Sequence, residues 1–167
     1  MMAGKDHPGK KEKTSGLIDL VMDIPFFEML KADELAIIAR HMNYFEIEAG
    51  EILFKEGEKG DSVCFVVAGA LDVFKESSTP GKTVQIATIQ KNRSIGEMAV
   101  IDEYTRSATV RASRKSSIVA LTKSGFDVIL SENPAIGIAI LKKIARLLSM
   151  NLRSTSSRLA DSLLPVS

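Results

Sequence analysis

The chain reads as a mainly β domain, an antiparallel sandwich or jelly roll, with helical segments before and after it. Two observations predict this. Between Asn43 and Thr122 short β-rich runs recur between turn signals with no long helical pattern among them. Helical periodicity is confined to the two ends. With 167 residues the chain is one domain's worth, long enough to bury a sizeable core.

Residues 1–15 are polar and Lys-rich with Gly and Pro, and are expected to form a disordered basic tail. No aromatic residue interleaves with the lysines, so a solvated tail is the reading rather than a nucleic-acid arm. From Gly16 to Met42 the pattern is helical in two pieces divided near Pro25. In the second piece Leu35, Ile38 and Met42 share a face beside Ala36 and Ile37, which makes a core stripe. Strands are expected over Tyr44–Ile47, Ile52–Phe54, Val63–Val67, Leu71–Phe74, Val84–Ile89, Ala108–Arg111 and Ser117–Leu121. Ala49-Gly50, Glu56-Gly57, Lys59-Gly60-Asp61, Gly69 and Pro80-Gly81 act as turns between them.

Helix returns over Lys123–Ser131, and Asn133-Pro134 offers a cap and a first-turn proline for a longer helix. That helix is expected to run to about Arg153, closing a domain of residues 16–153 with strands over about 43–122 and C-terminal helices over about 123–153. Leu141, Ile144, Leu148 and Leu152 form a heptad-like seam broadened by Ile140 and Leu147. The seam is wider than one barrel contact needs, which predicts a homodimer through this helix. Residues 154–167 lose the periodicity and are expected to be a flexible C-terminal tail.

Composition removes several classes of function. A net charge of +1 calls for neither nucleic acid nor a membrane surface as a direct partner. The first residues lack an apolar leader and no run reaches bilayer length, so a cytoplasmic protein is expected. Cys64, the single cysteine, sits in an apolar strand pattern and is expected to be a buried, inert thiol. His7 and His41 have no plausible co-ligands, so neither a metal nor another cofactor is expected. No nucleophile–base spacing and no Walker-type loop appears, and the chain is not expected to be an enzyme.

The chemistry concentrates in Ser94–Val110, SIGEMAVIDEYTRSATV. A Gly-Glu pair opens a short apolar turn, and nine residues after Glu97 comes Arg106, followed by Ser107, Ala108 and Thr109. That order suits a small anion carrying a ribose and a phosphate. A helical N-terminus offers unpaired N–H groups, and an arginine adds a forked, charge-assisted contact. A plain alternative is a Glu97–Arg106 salt bridge across a tight turn.

This segment resembles the phosphate-binding cassette of cyclic nucleotide-binding domains, the family of catabolite activator ligand-binding domains and cAMP-dependent kinase regulatory subunits. IPFF at Ile24–Phe27 with Leu30 resembles the family's N-terminal helical segment. Glu56–Phe74, EGEKGDSVCFVVAGALDVF, resembles its hairpin region, and the likeness extends over roughly Ile24–Leu152. The resemblance implies a jelly roll (double-stranded β-helix) with N-terminal helices and a long C-terminal helix. It also implies that the ligand is a cyclic nucleotide, cAMP ahead of cGMP. Arg106 would pair with the cyclic phosphate, amides at Met98 and Ala99 would donate to it, and Gly96 and Ala99 would let the backbone approach. Glu97 would accept from the ribose 2′-hydroxyl. Ser107 and Ala108 follow the cassette arginine, and the Ser107 hydroxyl would reach the phosphate or a guanine amino group.

Two positions depart from the family pattern. Many members have proline before the cassette arginine, where this chain has Thr105, which implies a looser loop before ligand binds. Members resembling the catabolite activator contact adenine from a Thr-Ser pair on the long helix, where this chain has Asn151 and Leu152. Asn151 would offer its amide to a purine edge. The residues after Arg153 are too few for a helix-turn-helix domain, so direct contact with nucleic acid is not expected. The remaining alternatives are an interaction and dimerisation module that no longer binds nucleotide, and the sensor fragment of a transcription regulator.

Overall fold

The computed structural model describes residues 16–163 apart from residues 78, 80 and 103. The expected basic tail, His7 with it, and residues 164–167 lie outside the described residues. Helix α1 covers residues 16–22 and a 3₁₀ turn follows over Pro25–Phe27. The break falls where Pro25 fixes its own φ and withholds an N–H. Helix α2, Ala32–Ala39, starts where the Glu34 carboxylate accepts from the Lys31 N–H at 2.8 Å. Met42, expected on its face, is instead the first residue of the next strand and is buried there.

Six antiparallel strands follow: β1 Met42–Ile47, β2 Ile52–Phe54, β3 Ser62–Glu76, β4 Thr83–Gln90, β5 Ser94–Ile95 and β6 Thr109–Thr122. Their order is β1-β6-β3-β4, with β2 also paired to β6 and β5 to β3, the roll of a jelly-roll domain. The central strands β3 and β6 are buried on both faces, which explains their unbroken apolar runs. Val63, Phe65, Val119 and Leu121 pack on the helices. Cys64, Val66, Ile118 and Ala120 fill the interior of the roll. Phe26, Phe27 and Phe65 join the helical segment to β3, with ring centroids 4.8 to 5.0 Å apart.

Gly69 is not the turn expected. It lies inside β3 at φ +90°, amid register shifts between Val66 and Leu71 against β6. The same merging joins the expected strands Ala108–Arg111, less its first residue, and Ser117–Leu121 into the single strand β6. A left-handed glycine serves a bulge as readily as a turn. The slip is repaired by side chains: the buried Ser116 hydroxyl accepts from Ala70 N–H at 3.1 Å, and the Ser113 hydroxyl donates to Ala70 O at 3.0 Å.

Helix α3, Lys123–Glu132, is capped by Thr122, whose Oγ1 accepts from Gly125 N–H at 3.1 Å. Helix α4 begins at Pro134 and continues to Leu163, ten residues past the expected end at Arg153. Residues 154–163 are therefore helical, not a flexible tail. No proline or glycine interrupts them, and serine and threonine are only weakly disfavoured in a helix. Only the first half of α4 is buried, through Ile136, Ile140 and Ile144, whereas every residue from Ser149 to Leu163 is exposed. Lys143 ties α4 to the N-terminal segment through Glu28 at 2.9 Å, and this hydrogen bond holds the Glu28 carboxyl below its ordinary range. No helix among the described residues is long and apolar enough to cross a membrane.

Cys64 is buried and free, and desolvation pushes its thiol up to about 11. At pH 8 the native thiol is expected to resist a disulfide reagent for hours. In denaturant the same thiol should react within seconds to minutes, a contrast that absorbance assays read directly.

Candidate functional site: the Gly96–Arg106 turn

Strand β5 sets the turn in place by pairing Ile95 with Cys64 and Ser94 with Phe65 on β3. Gly96 then reverses the chain at φ +82°, and a 3₁₀ turn runs over Glu97–Val100. A Cβ at Gly96 would collide with the Arg106 Nη1, so the missing side chain is what lets the guanidinium lie against this backbone.

Arg106 arrives from the other side, just before β6. Its backbone is strapped to the Gly57–Lys59 segment: Arg106 N–H donates to Glu58 O at 2.7 Å, and Gly57 N–H donates to Arg106 O at 2.9 Å. Thr105 forms a β-bridge with Lys59. These bonds restrain the loop that the loss of proline was expected to loosen.

Arg106 is only 7% exposed. Nη1 donates to Ser62 O at 2.9 Å and to Gly96 O at 3.4 Å, and Nη2 donates to Ser62 Oγ at 3.3 Å. Its Cζ sits over the Phe54 ring, 4.1 Å from the ring centre. The nearest carboxylate is Asp61 at 3.7 Å from Nη2, itself 81% exposed. Nε is buried without a partner among the described residues.

Glu97 is likewise buried, and its Oε1 accepts from the Ser94 hydroxyl at 2.6 Å. It forms no salt bridge with Arg106, which removes the plain reading of the two as a turn-closing ion pair. Two buried, opposite charges thus lie on one turn without neutralising each other.

The other expected residues divide. Ala99 is buried and its N–H already donates to Gly96 O at 3.1 Å, so in this arrangement that amide is engaged. Met98 is about half exposed. Ser107 is exposed, and its carbonyl accepts from Lys75 Nζ at 2.8 Å, the same ammonium that pairs with Glu56. The Ala108 side chain belongs to the interior of the roll rather than to an open surface. Asn151 stands exposed on α4 beyond its last buried residue, Ile144, and makes no side-chain hydrogen bond to the turn. Four further residues shape the site: Phe54, Asp61, Ser62 and Ser94. Ser94, three residues before Glu97, had a local signal in its spacing. Phe54 and Ser62 are brought in by strand pairing, and Asp61 by the turn just before β3.

The family model described as the cyclic nucleotide-binding domain matches residues 44–133. The chain belongs to this family. The cyclic nucleotide-binding domain so defined includes the whole Gly96–Arg106 turn and stops short of Asn151. A cyclic nucleotide-gated potassium channel of Rhizobium etli is 32% identical over 123 residues, which are 74% of this chain and 33% of the channel. A lysophospholipase of Aspergillus oryzae is 30% identical over 105 residues, 63% of this chain and 7% of that protein. The chain thus spans a third or less of the length of these curated relatives. Among solved structures, a cyclic nucleotide-binding domain from Methylobacillus flagellatus superposes with a TM-score of 0.79 at 23% identity. It covers 93% of this chain and 86% of its own, a likeness of fold.

Proposed function

We propose that the domain binds cAMP in preference to cGMP through the Gly96–Arg106 turn and signals by moving α4, as a cytoplasmic regulatory domain. The observation that carries this reading is the state of Arg106. A buried cation whose hydrogen-bond partners are all neutral, whose one ion pair is a 3.7 Å contact to the exposed Asp61, and whose Nε has no partner among the described residues is under-compensated. A cyclic phosphate supplies the missing charge and acceptors. Glu97, with one hydroxyl donor, has room to accept from a ribose hydroxyl.

The test is calorimetric titration of nucleotide-free chain with cAMP and cGMP in parallel, after a denatured sample has been checked for co-purified ligand. Saturable binding with cAMP tighter is the expected result. Binding of neither would return the domain to an interaction module. Glu97→Gln is expected to weaken cAMP roughly tenfold, the scale of one charge-assisted hydrogen bond, and to narrow the gap between cAMP and its 2′-deoxy analogue. An undiminished preference for the ribonucleotide would remove Glu97 from the ribose.

The domain also pairs with a second copy along the distal half of α4. Leu152, Leu159 and Leu163 are 68%, 59% and 74% exposed, and they extend the stripe that Leu141 and Leu148 begin. Sedimentation at micromolar concentration should give a dimer, and Leu152→Ser with Leu159→Ser should give a monomer of unchanged helix content. A wild-type monomer at that concentration would end this part of the reading.

A further inference from the structure

On the side of the domain where α4 meets the N-terminal segment lies a cavity of about 180 Å³. Phe26, Leu147 and Met150 give it apolar walls, and Arg93, Lys143 and Arg146 bring three cations to its lining. Asn92, at φ +64°, holds the β4–β5 connection that presents Arg93. Only Lys143 has a carboxylate partner, Glu28. Neither Arg93 nor Arg146 forms an ion pair among the described residues. Three cations against one carboxylate leave this wall with an excess of two positive charges.

Apolar walls with a few convergent charged groups are the make-up of a small-molecule site. Size limits the occupant. A cavity of about 150 Å³ holds a benzene ring, whereas pockets for larger ligands run to about 300 Å³ and more. The pocket is half open, and a cyclic nucleotide would overfill it and project into solvent, whereas a single ring fits within it. We propose that this cavity is a second binding site, separate from the Gly96–Arg106 turn, for a small aromatic carboxylate. Its ring packs against Phe26, Leu147 and Met150, and its carboxylate meets Arg93 and Arg146.

The position gives the site a consequence. Ser94 lines the cavity, and its hydroxyl donates to Glu97 Oε1 at 2.6 Å. One occupant therefore touches both the residue that supports Glu97 and the wall formed by α4. Resting on the nucleotide reading above, the second half of the proposal is that the carboxylate and the nucleotide change each other's affinity by the same factor.

The probe is 3-phenylpropionate, titrated into the full chain without nucleotide and followed by amide NMR, with 3-phenylpropanol as its neutral counterpart. The acid should give saturable shifts centred on Ser94, Leu147 and Met150. It should bind roughly two- to fivefold more tightly than the alcohol, the scale of one exposed ion pair. Arg93→Gln with Arg146→Gln, both at exposed positions, should erase that difference and leave the alcohol unchanged. Met150→Trp should fill the cavity and abolish both. Shifts centred elsewhere, no saturation, or equal binding of acid and alcohol would overturn the site. The cAMP affinity is then measured with and without saturating acid, and an unchanged value would overturn the coupling. Because the first titration contains no nucleotide, a failure of the nucleotide reading leaves its result standing.

Discussion

Arg106→Ala is expected to weaken cAMP by ~100-fold or more, since removing one partner of a buried, hydrogen-bonded charge pair costs roughly 2–5 kcal/mol. The loss should appear in calorimetry as a collapse of affinity rather than a change of stoichiometry. Arg106→Lys keeps the charge but cannot reproduce the fork that reaches Ser62 and Gly96 together, so it should fall between the two. Thermal unfolding separates function from folding here. The side chain also stacks on Phe54, so the alanine variant should melt a few degrees lower while remaining cooperative. Full affinity in a folded Arg106→Ala variant would falsify the assignment of Arg106 to the phosphate.

Gly69→Ala is expected to be the most damaging single-methyl change in the roll. The residue sits at φ +90°, where an L side chain costs roughly 1–2 kcal/mol. The new Cβ would also lie 2.6 Å from the Lys115 carbonyl oxygen and closer still to Ser116 Oγ. Neither neighbour can retreat easily, because the Ser116 hydroxyl is engaged with the Ala70 N–H that the bulge leaves unpaired. A total loss of about 3 kcal/mol, or a fall in Tm of roughly 6–12 °C, is expected for a domain of this size. Gly57→Ala is the control: it shares the positive φ at +82° but meets nothing within 4 Å. Equal losses for the two variants would show that backbone strain alone sets the cost.

The fold was legible wherever a residue's role is local. β-rich runs between turn signals placed β1, β2 and β4 and the two halves of β3 and of β6, and Asn133-Pro134 marked the start of α4 to the residue. What escaped was non-local. Gly69 marks a left-handed backbone without saying whether the strands part or merely slip, since that depends on β6, more than 40 residues away. The end of α4 escaped because the Ser-Thr run lowers helix propensity without breaking it. In the site, Glu97 and Arg106 stood out because their spacing along one segment is itself the signal. Phe54 beneath the guanidinium and Ser62 opposite it carry no such mark, for only the pairing of β2 and β3 with β6 sets them there.

The anchoring of α4 at one end makes it a lever. Its 30 residues span about 45 Å, and the exposed stretch from Ser149 to Leu163 accounts for about 20 Å of that length. A tilt of about 10° about the middle of the Ile136–Ile144 anchor, about 35 Å from Leu163, would sweep the free tip through roughly 6 Å, about the ~5.4 Å pitch of one helical turn. Displacements of about 1 Å at the ends of the packed segment thus reach Leu163 enlarged roughly sixfold, the ratio of the two arms.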